Sequence, residues 1–366
     1  MSWNFNLPVK ILFGRNRALE VVDLTKPLGD GLLICDPFLV DGPARQLIAV
    51  SAGRIAEVFS SVSPNPSVEE VDACCDAIRR LDAKYLIAMG GGSVMDVAKA
   101  ASVIIFGDDR TRAYHTGGKA LPQKRLPVFA IPTTAGTGSE VTSVSVLTDR
   151  ELGVKAPMGS PLFNMDTAIV DPVLTLSVPP RVTASTGLDV LAHAIEGYWS
   201  VHHQPICDAT AMYATKLVFQ NLMRVYNNPQ DIDGRERMCE ASLLAGIAFS
   251  HPKTTGSHAC SYPLTNVYGM PHGEACAFTL DAFIRINADA RVLELARYSG
   301  FDSVDAMADA VYDLKRRTGM KLTLADAGIK TEDVPELVKA SMHPNMLNNP
   351  VAMDAEAIER LYRGLQ

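Results

Sequence analysis

Up to about residue 178, short apolar runs alternate with stretches of helical spacing. "GLLICD" (31–36), "YLIAMG" (85–90), "PVFAIPTT" (127–134) and "TAIVD" (167–171) read as strands. The first three are near-continuous apolar runs, the pattern of strands covered on both faces. Between them, "SVEEVDACCDAIRRLDA" begins with Ser67 and Glu70 in capping-box spacing and continues with apolar residues at helical intervals. Strand and helix in alternation predict a parallel sheet covered by helices. From about residue 181 the period is helical nearly throughout, predicting helices over 184–199, 207–226, 234–250, 274–287, 289–299, 303–318, 331–341 and 354–364. Pro179 and Pro180 mark the seam. The predicted organisation is an α/β domain over 1–178 and an all-helical domain over 179–366.

Composition narrows the function. The chain has 366 residues and a formal charge of −7, which argues against a nucleic-acid binder while leaving room for a local anion pocket. No apolar run reaches the ~18 residues of a membrane span, and the N-terminus lacks a signal-peptide pattern. A cytoplasmic protein is the default expectation. Seven cysteines, none in a CxxC pair, read as free buried thiols rather than a zinc ribbon or a thioredoxin motif.

Two glycine-bearing loops follow predicted strands. "GGGS" (90–93) opens a helix, where exposed amides favour a pyrophosphate, against the plainer reading of a tight strand-to-helix turn. "IPTTAGTGSEVT" (131–142) adds five small hydroxyl residues and two glycines. Loops at the carboxyl ends of parallel strands are where open α/β sheets bind ligands. Asp36 closes the strand "GLLICD", where a carboxylate accepts from a ribose 2′-hydroxyl and repels a 2′-phosphate; its alternative is a turn former before Pro37.

In "GLDVLAHAIEGY" (187–198), Asp189 and His193 lie four apart, on one face of a helix. Such a pair alone is more often a hydrogen bond than a metal site. "TTGSHACSYPLTNVYGMPHGEA" adds His258 and His272, giving an Asp/His₃ set suited to Fe²⁺ or Zn²⁺ and poorly suited to Ca²⁺ or Mg²⁺. Glu196 reads either as a partner of His193 or as a surface charge, and His202 and His203 as a solvated loop.

With "FG" at 13–14, "PNPSVEEV", "GGGSVMDVAKA", "PTTAGTGSEVT", "DTAIVDP", "GLDVLAHAIEGY", "GIAFS" and "PHGEA" in order, the whole chain resembles the iron-containing (group III) alcohol dehydrogenases. The resemblance implies a dehydroquinate synthase-like fold, a Rossmann-like domain followed by helices. It implies NAD(H), preferred over NADP(H) on the strength of Asp36, and Fe²⁺ with Zn²⁺ as the alternative. Gly90, Gly91, Gly92, Ser93 and Asp96 would meet the pyrophosphate and nicotinamide side. Thr133, Thr134, Thr137 and Ser139 would line the cofactor cleft, and Lys155 would sit near the ribose. Asp189, His193, His258 and His272 would hold the metal. A homodimer or larger assembly and a small aldehyde or alcohol substrate are also implied.

The chain departs from the family pattern in two places. Many relatives carry a histidine four residues after the third ligand; here Tyr262 stands there, a poor general base with an ordinary pKa near 10 but a usable hydrogen-bond donor. "FSHPKTTGSH" places His251, Lys253, Thr254 and Thr255 just before His258, a seat for an anionic substrate tail or else a surface turn. Together these resemble the phosphonoacetaldehyde reductase branch, implying reduction of phosphonoacetaldehyde to 2-hydroxyethylphosphonate. Lactaldehyde, glycolaldehyde, succinic semialdehyde and sulfoacetaldehyde are the other candidates. Dehydroquinate synthase, glycerol dehydrogenase, maleylacetate reductase and a non-catalytic NAD-binding module fit the motifs less well.

Overall fold

The computed structural model describes residues 2–365. The chain forms two compact units, one of Asn6–Thr134 with Ser139–Leu176, the other of residues 2–5, Ala135–Gly138 and 177–365. A single cut at residues 178–179 does not describe this division, because the first residues and the loop Ala135–Gly138 group with the helices.

The first unit holds eight strands: β1 (Lys10–Phe13), β2 (Gly31–Cys35), β3 (Ile55–Phe59), β4 (Tyr85–Gly90), β5 (Val128–Pro132), β6 (Val144–Asp149), β7 (Val154–Gly159) and β8 (Thr167–Val170). Its helices are α1 (Val21–Thr25), α2 (Arg45–Val50), α3 (Val68–Leu81), α4 (Gly92–Ile104) and α5 (Thr111–His115). Six strands pair in parallel in the order β1-β8-β5-β4-β2-β3. The apolar runs of β2, β4, β5 and β8 are buried along their whole length, as strands covered on both faces must be. β6 and β7 form a separate antiparallel hairpin. At the start of α3, Ser67 Oγ accepts from the Glu70 amide at 3.3 Å. The Glu70 carboxylate turns instead to the amide and hydroxyl of Ser63, so only half of the expected capping box forms.

The second unit is helical: α6 (Pro180–Trp199), α7 (Pro205–Asn227), α8 (Ile232–Ser250), α9 (Gly256–Asn266), α10 (His272–Phe278), α11 (Leu280–Ile286), α12 (Ala290–Tyr298), α13 (Val304–Arg317), α14 (Val334–Ser341) and α15 (Ala355–Arg363). The single helix expected over 274–287 is two, broken at Thr279. α9 was not expected, because its residues are small or polar, show no helical stripe and include Pro263. None of the helices is long and apolar enough to cross a membrane.

α6 is buried on nearly every side from Thr183 to Trp199, which brings chemistry on any of its faces into the interior. The loop Ala135–Gly138 lies against this helical core. Gly138 has φ +58°, and a Cβ there would stand 2.5 Å from the Gly246 Cα. Gly138→Ala is therefore expected to cost about 1–3 kcal/mol through left-handed strain and a main-chain collision. A thermal melt unchanged from the parent would show that α8 can yield at this point.

Candidate functional site: a buried metal-binding set and a glycine-lined strand end

In the helical unit, Asp189, His193 and Glu196 occupy successive turns of α6, while α9 carries His258 and α10 begins with His272. Asp189, His193 and His258 are only 3%, 5% and 3% exposed. The Asp189 Oδ1 atom lies 3.8 Å from His193 Nδ1 and 3.7 Å from His258 Nε2. Neither of those two buried ring nitrogens has a hydrogen-bond partner. Buried polar atoms are almost always partnered, so two unpartnered imidazole nitrogens converging on one carboxylate oxygen form a donor set that fits a cation.

The other face of each ring is held. His193 donates to the Gly136 carbonyl, and its ring stacks on Phe249 with centroids 4.2 Å apart. Burial, followed by the neighbouring His258 and His272, pushes its pKa well below the usual imidazole range, which keeps it neutral as a ligand must be. His258 Nδ1 is hydrogen-bonded to Glu196 Oε2. Glu196, the residue whose role was open in the sequence, is fully buried. Its Oε1 accepts from the Thr255 amide at 3.2 Å, the Thr255 hydroxyl at 2.9 Å, the Ser257 amide at 2.7 Å and the His258 amide at 3.3 Å. A carboxylate thus caps the amino end of α9, where the helix dipole favours it, and orients the imidazole that follows. A carboxylate behind a ligating histidine fixes its tautomer and strengthens it as a donor.

Asp189, His258, His272 and Cys276 place one ligand atom each within 4.8 Å of one another. Cys276 was read in the sequence only as one of several free thiols. Its signal was its spacing, four residues after His272, the same interval that singled out Asp189 and His193.

The segment between α8 and α9 divides the expected substrate residues. Thr255 is fully buried, and its hydroxyl donates to Glu196 and accepts from Trp199 Nε1 at 2.8 Å. It is a support of Glu196 rather than a substrate contact. Thr254 Oγ1 accepts from Asn345 Nδ2 at 2.8 Å. Lys253 is exposed and sits at φ +69°, an unusual conformation for a side chain of its length. His251 contacts Ser250 Oγ through Nδ1 at 2.9 Å and lies beside the Phe5 ring. Tyr262 packs on His343 with centroids 4.4 Å apart, and burial raises its pKa above the usual phenol value. His203 pairs with Asp208 at 3.0 Å, away from the ligand set.

In the α/β unit, β2 and β4 are neighbours, which sets Asp36 beside the turn that follows β4. Asp36 Oδ2 accepts from the Gly91 amide at 3.3 Å. A Cβ on Gly90 would come within 2.6 Å of that same oxygen, so the approach requires glycine. Gly91 precedes α4 with no side chain capping the helix, leaving its first amides, those of Gly92 and Ser93 among them, for an anion. Thr134 Oγ1 faces Gly91, and the buried Thr133 hydroxyl has no partner. Thr137 belongs to the segment that groups with the helices. Lys155, on β7, donates to Asn65 Oδ1 at 2.8 Å.

Asp96 and Ser139 are committed to each other. Ser139 Oγ donates to Asp96 Oδ1 at 3.1 Å, and Asp96 Oδ2 accepts from the Val146 amide at 3.0 Å. Lys99, missed in the sequence because it reads as a solvated helical lysine, is fully buried and donates to Ser139 Oγ, Thr142 Oγ1 and the Val144 carbonyl at 2.8, 3.1 and 2.9 Å. Burial lowers its pKa to about 8, with Asp96 and Glu140 opposing. Asp96, only partly buried, and Ser139 thus hold the loop between β5 and β6 in shape.

A family model described as iron-containing alcohol dehydrogenase matches residues 8–172, and one described as the C-terminal part of the Fe-containing alcohol dehydrogenase family matches residues 183–365. The chain is similar to a sulfoacetaldehyde reductase of Bilophila wadsworthia, 33% identical over 375 residues that cover 95% of each chain. It is also similar to an NAD-dependent methanol dehydrogenase of Bacillus methanolicus, 33% identical over 354 residues and covering 92% of each. Among solved structures it resembles the sulfoacetaldehyde reductase from Bifidobacterium kashiwanohense in complex with NAD+, with a TM-score of 0.97 and 54% identity, covering 100% of this chain and 99% of that one.

Proposed function

The chain belongs to the iron-containing alcohol dehydrogenase family, and on that premise we propose that it reduces a two-carbon aldehyde bearing a sulfonate or phosphonate, using NADH and a divalent iron. The observation that carries the metal part is the pair of unpartnered imidazole nitrogens, His193 Nδ1 and His258 Nε2, aimed at Asp189. The similarity to two sulfoacetaldehyde reductases supports sulfoacetaldehyde, with 2-hydroxyethanesulfonate as product. Phosphonoacetaldehyde, to which the "KTTGSHACSY" segment pointed, is the same kind of molecule with a different tetrahedral oxyanion.

When bound, the metal polarises the carbonyl oxygen as a Lewis acid and the nicotinamide supplies hydride to the carbonyl carbon. Asp189, His193, His258 and His272 would hold the ion. Asp189 brings the only carboxylate among these four, offsetting part of the ion's charge. Glu196 keeps His258 aimed inward. The uncapped start of α4 binds the cofactor's pyrophosphate, and Asp36 accepts from the adenosine ribose. Tyr262 stays protonated at neutral pH and so donates a hydrogen bond instead of taking a proton. Lys253, in a left-handed conformation with its backbone N–H donating to the Phe249 carbonyl at 2.9 Å, offers the charge for the oxyanion. Strain of this kind persists where surrounding structure enforces it and recurs at ligand-binding positions.

The deciding measurement is kcat/KM with NADH and Fe²⁺-reconstituted protein for sulfoacetaldehyde, phosphonoacetaldehyde and propanal. An anion seat gives at least about a hundredfold preference over propanal, ~2.7 kcal/mol of transition-state discrimination. Comparable values for all three would overturn the anionic reading. Lys253→Ala should raise KM for the anionic aldehyde about tenfold and leave propanal unchanged; equal effects on both would return Lys253 to the solvated surface. Asp36→Gly removes the charge that repels a 2′-phosphate and should improve kcat/KM for NADPH relative to NADH by about tenfold. An unaltered coenzyme ratio would place the discrimination elsewhere.

A further inference from the structure

The turn-rich segment 343–349, between α14 and α15, is fastened within the helical unit at both of its ends. Asn348 Nδ2 donates to the Thr254 carbonyl at 2.9 Å, and the Asn348 carbonyl accepts from the Val201 amide at 3.0 Å. Asn349, only 4% exposed, exchanges two side-chain hydrogen bonds of 2.9 Å with the buried Asn287. A segment pinned in this way presents its other side chains already in place. Those side chains meet Tyr262, which follows the ligand His258 by one turn on the same face of α9. The Tyr262 ring packs on His343 with centroids 4.4 Å apart, while Asn345 Nδ2 donates to Thr254 Oγ1 at 2.8 Å and faces the Tyr262 hydroxyl at 3.5 Å. An amide NH₂ can only donate, so the phenol oxygen turns a lone pair to Asn345 and its hydrogen elsewhere. The imidazole is set by the same residue. His343 Nδ1 accepts from the Asn345 main-chain amide at 3.2 Å, which puts the ring proton on Nε2, and burial lowers its pKa so that the ring stays neutral. Two oriented donors thus stand near a metal ligand, and neither has a protein acceptor among the described residues.

We propose that the Tyr262 hydroxyl and the His343 Nε2–H group hold the sulfonate or phosphonate tail of the aldehyde, and that Asn345 is the positioning residue that turns both donors toward it. The inference rests on the anionic substrate proposed above and names the neutral groups that recognise it. A tetrahedral oxyanion offers three acceptor oxygens around one atom, and hydrogen bonds to a charged acceptor are roughly twice as strong as neutral ones. The methyl end of propanal accepts nothing and would leave both donors unsatisfied, the situation in which a polar site rejects an apolar analogue most strongly. Thr254, which accepts from Asn345, is next in the chain to Lys253, so the lysine charge and these donors are joined by one hydrogen-bonded segment.

The test uses the full chain, reconstituted with Fe²⁺ and supplied with NADH, and compares sulfoacetaldehyde, phosphonoacetaldehyde and propanal in His343→Phe and Asn345→Asp. The first keeps a ring against Tyr262 and removes the N–H; the second puts a carboxylate beside the seat. The ratio of kcat/KM for the preferred anionic aldehyde to that for propanal should fall about tenfold in His343→Phe and about a hundredfold in Asn345→Asp, through KM for the anion. Ethanesulfonate, which has the tail but no carbonyl to reduce, should lose affinity by similar factors in calorimetry. Substitution at two positions guards against one variant failing to fold. Parental ratios and parental ethanesulfonate affinity in both variants overturn the seat and leave the anionic substrate standing. A loss shared equally by all three aldehydes also overturns it, because a segment that only props the fold treats them alike. A parent protein that prefers neither anionic aldehyde over propanal overturns the anionic reading and the seat with it.

Discussion

Asp189→Ala is expected to lower kcat/KM by at least about a thousandfold, with metal content falling in parallel. A Lewis acid contributes several kcal/mol of transition-state stabilisation, and about 4 kcal/mol corresponds to that factor. Asp189 Oδ1 is the point on which His193 and His258 converge, at 3.8 and 3.7 Å, from two different helices. Its loss removes the negative charge that favours a dication and leaves imidazoles close together, the His193 and His258 ring centroids being 4.5 Å apart. Metal analysis of the purified variant, together with turnover after Fe²⁺ is restored, checks this. A metal-free variant with parental turnover would remove the metal from the mechanism altogether.

Glu196→Ala is expected to act on both stability and metal affinity. Its carboxylate serves three main-chain amides, one hydroxyl and the His258 ring, all away from water. A buried donor left unpartnered costs about 1–3 kcal/mol. Partial relaxation brings the sum to about 3–5 kcal/mol, a fall in Tm on the order of 10 °C for a domain of this size. Metal affinity should fall by about ten- to a hundredfold, the usual consequence of losing a ligand's orienting partner. Glu196→Gln separates the two effects. Its amide oxygen still accepts from the start of α9, so most of the stability returns, but its NH₂ group faces His258 and leaves metal affinity low. A glutamine variant with parental metal affinity would mean that Glu196 serves only the helix.

Much of the fold was legible because burial left a one-dimensional trace. β2, β4 and β5 are continuous apolar runs, and α3, α13 and α15 carry clear stripes on one face. β1 and β3 lie at the two ends of the sheet, are short and only partly buried, and carry too little pattern to be found. α9 failed for the opposite reason: surrounded on nearly all sides and built of small residues, it has no polar face to give it a period. The site followed the same logic. Asp189 and His193 stood out because a carboxylate and an imidazole are conspicuous in an apolar helix. Cys276 did not, since a buried cysteine is what a core ordinarily contains. Glu196 and Lys99 carry charges that a sequence places on the surface by default, and only tertiary structure supplies the acceptors and donors that let them be buried. Thr255, expected at the substrate, is drawn into the same bracket.

Glu196 also bears on how the protein comes to hold its ion. Through main-chain amides it fastens the first turn of α9 to α6, so two of the ligand-bearing segments are joined by the polypeptide's own bonds. These bonds do not depend on an ion, so stripping with a chelator should yield a silent but folded protein that recovers on readdition of the ion.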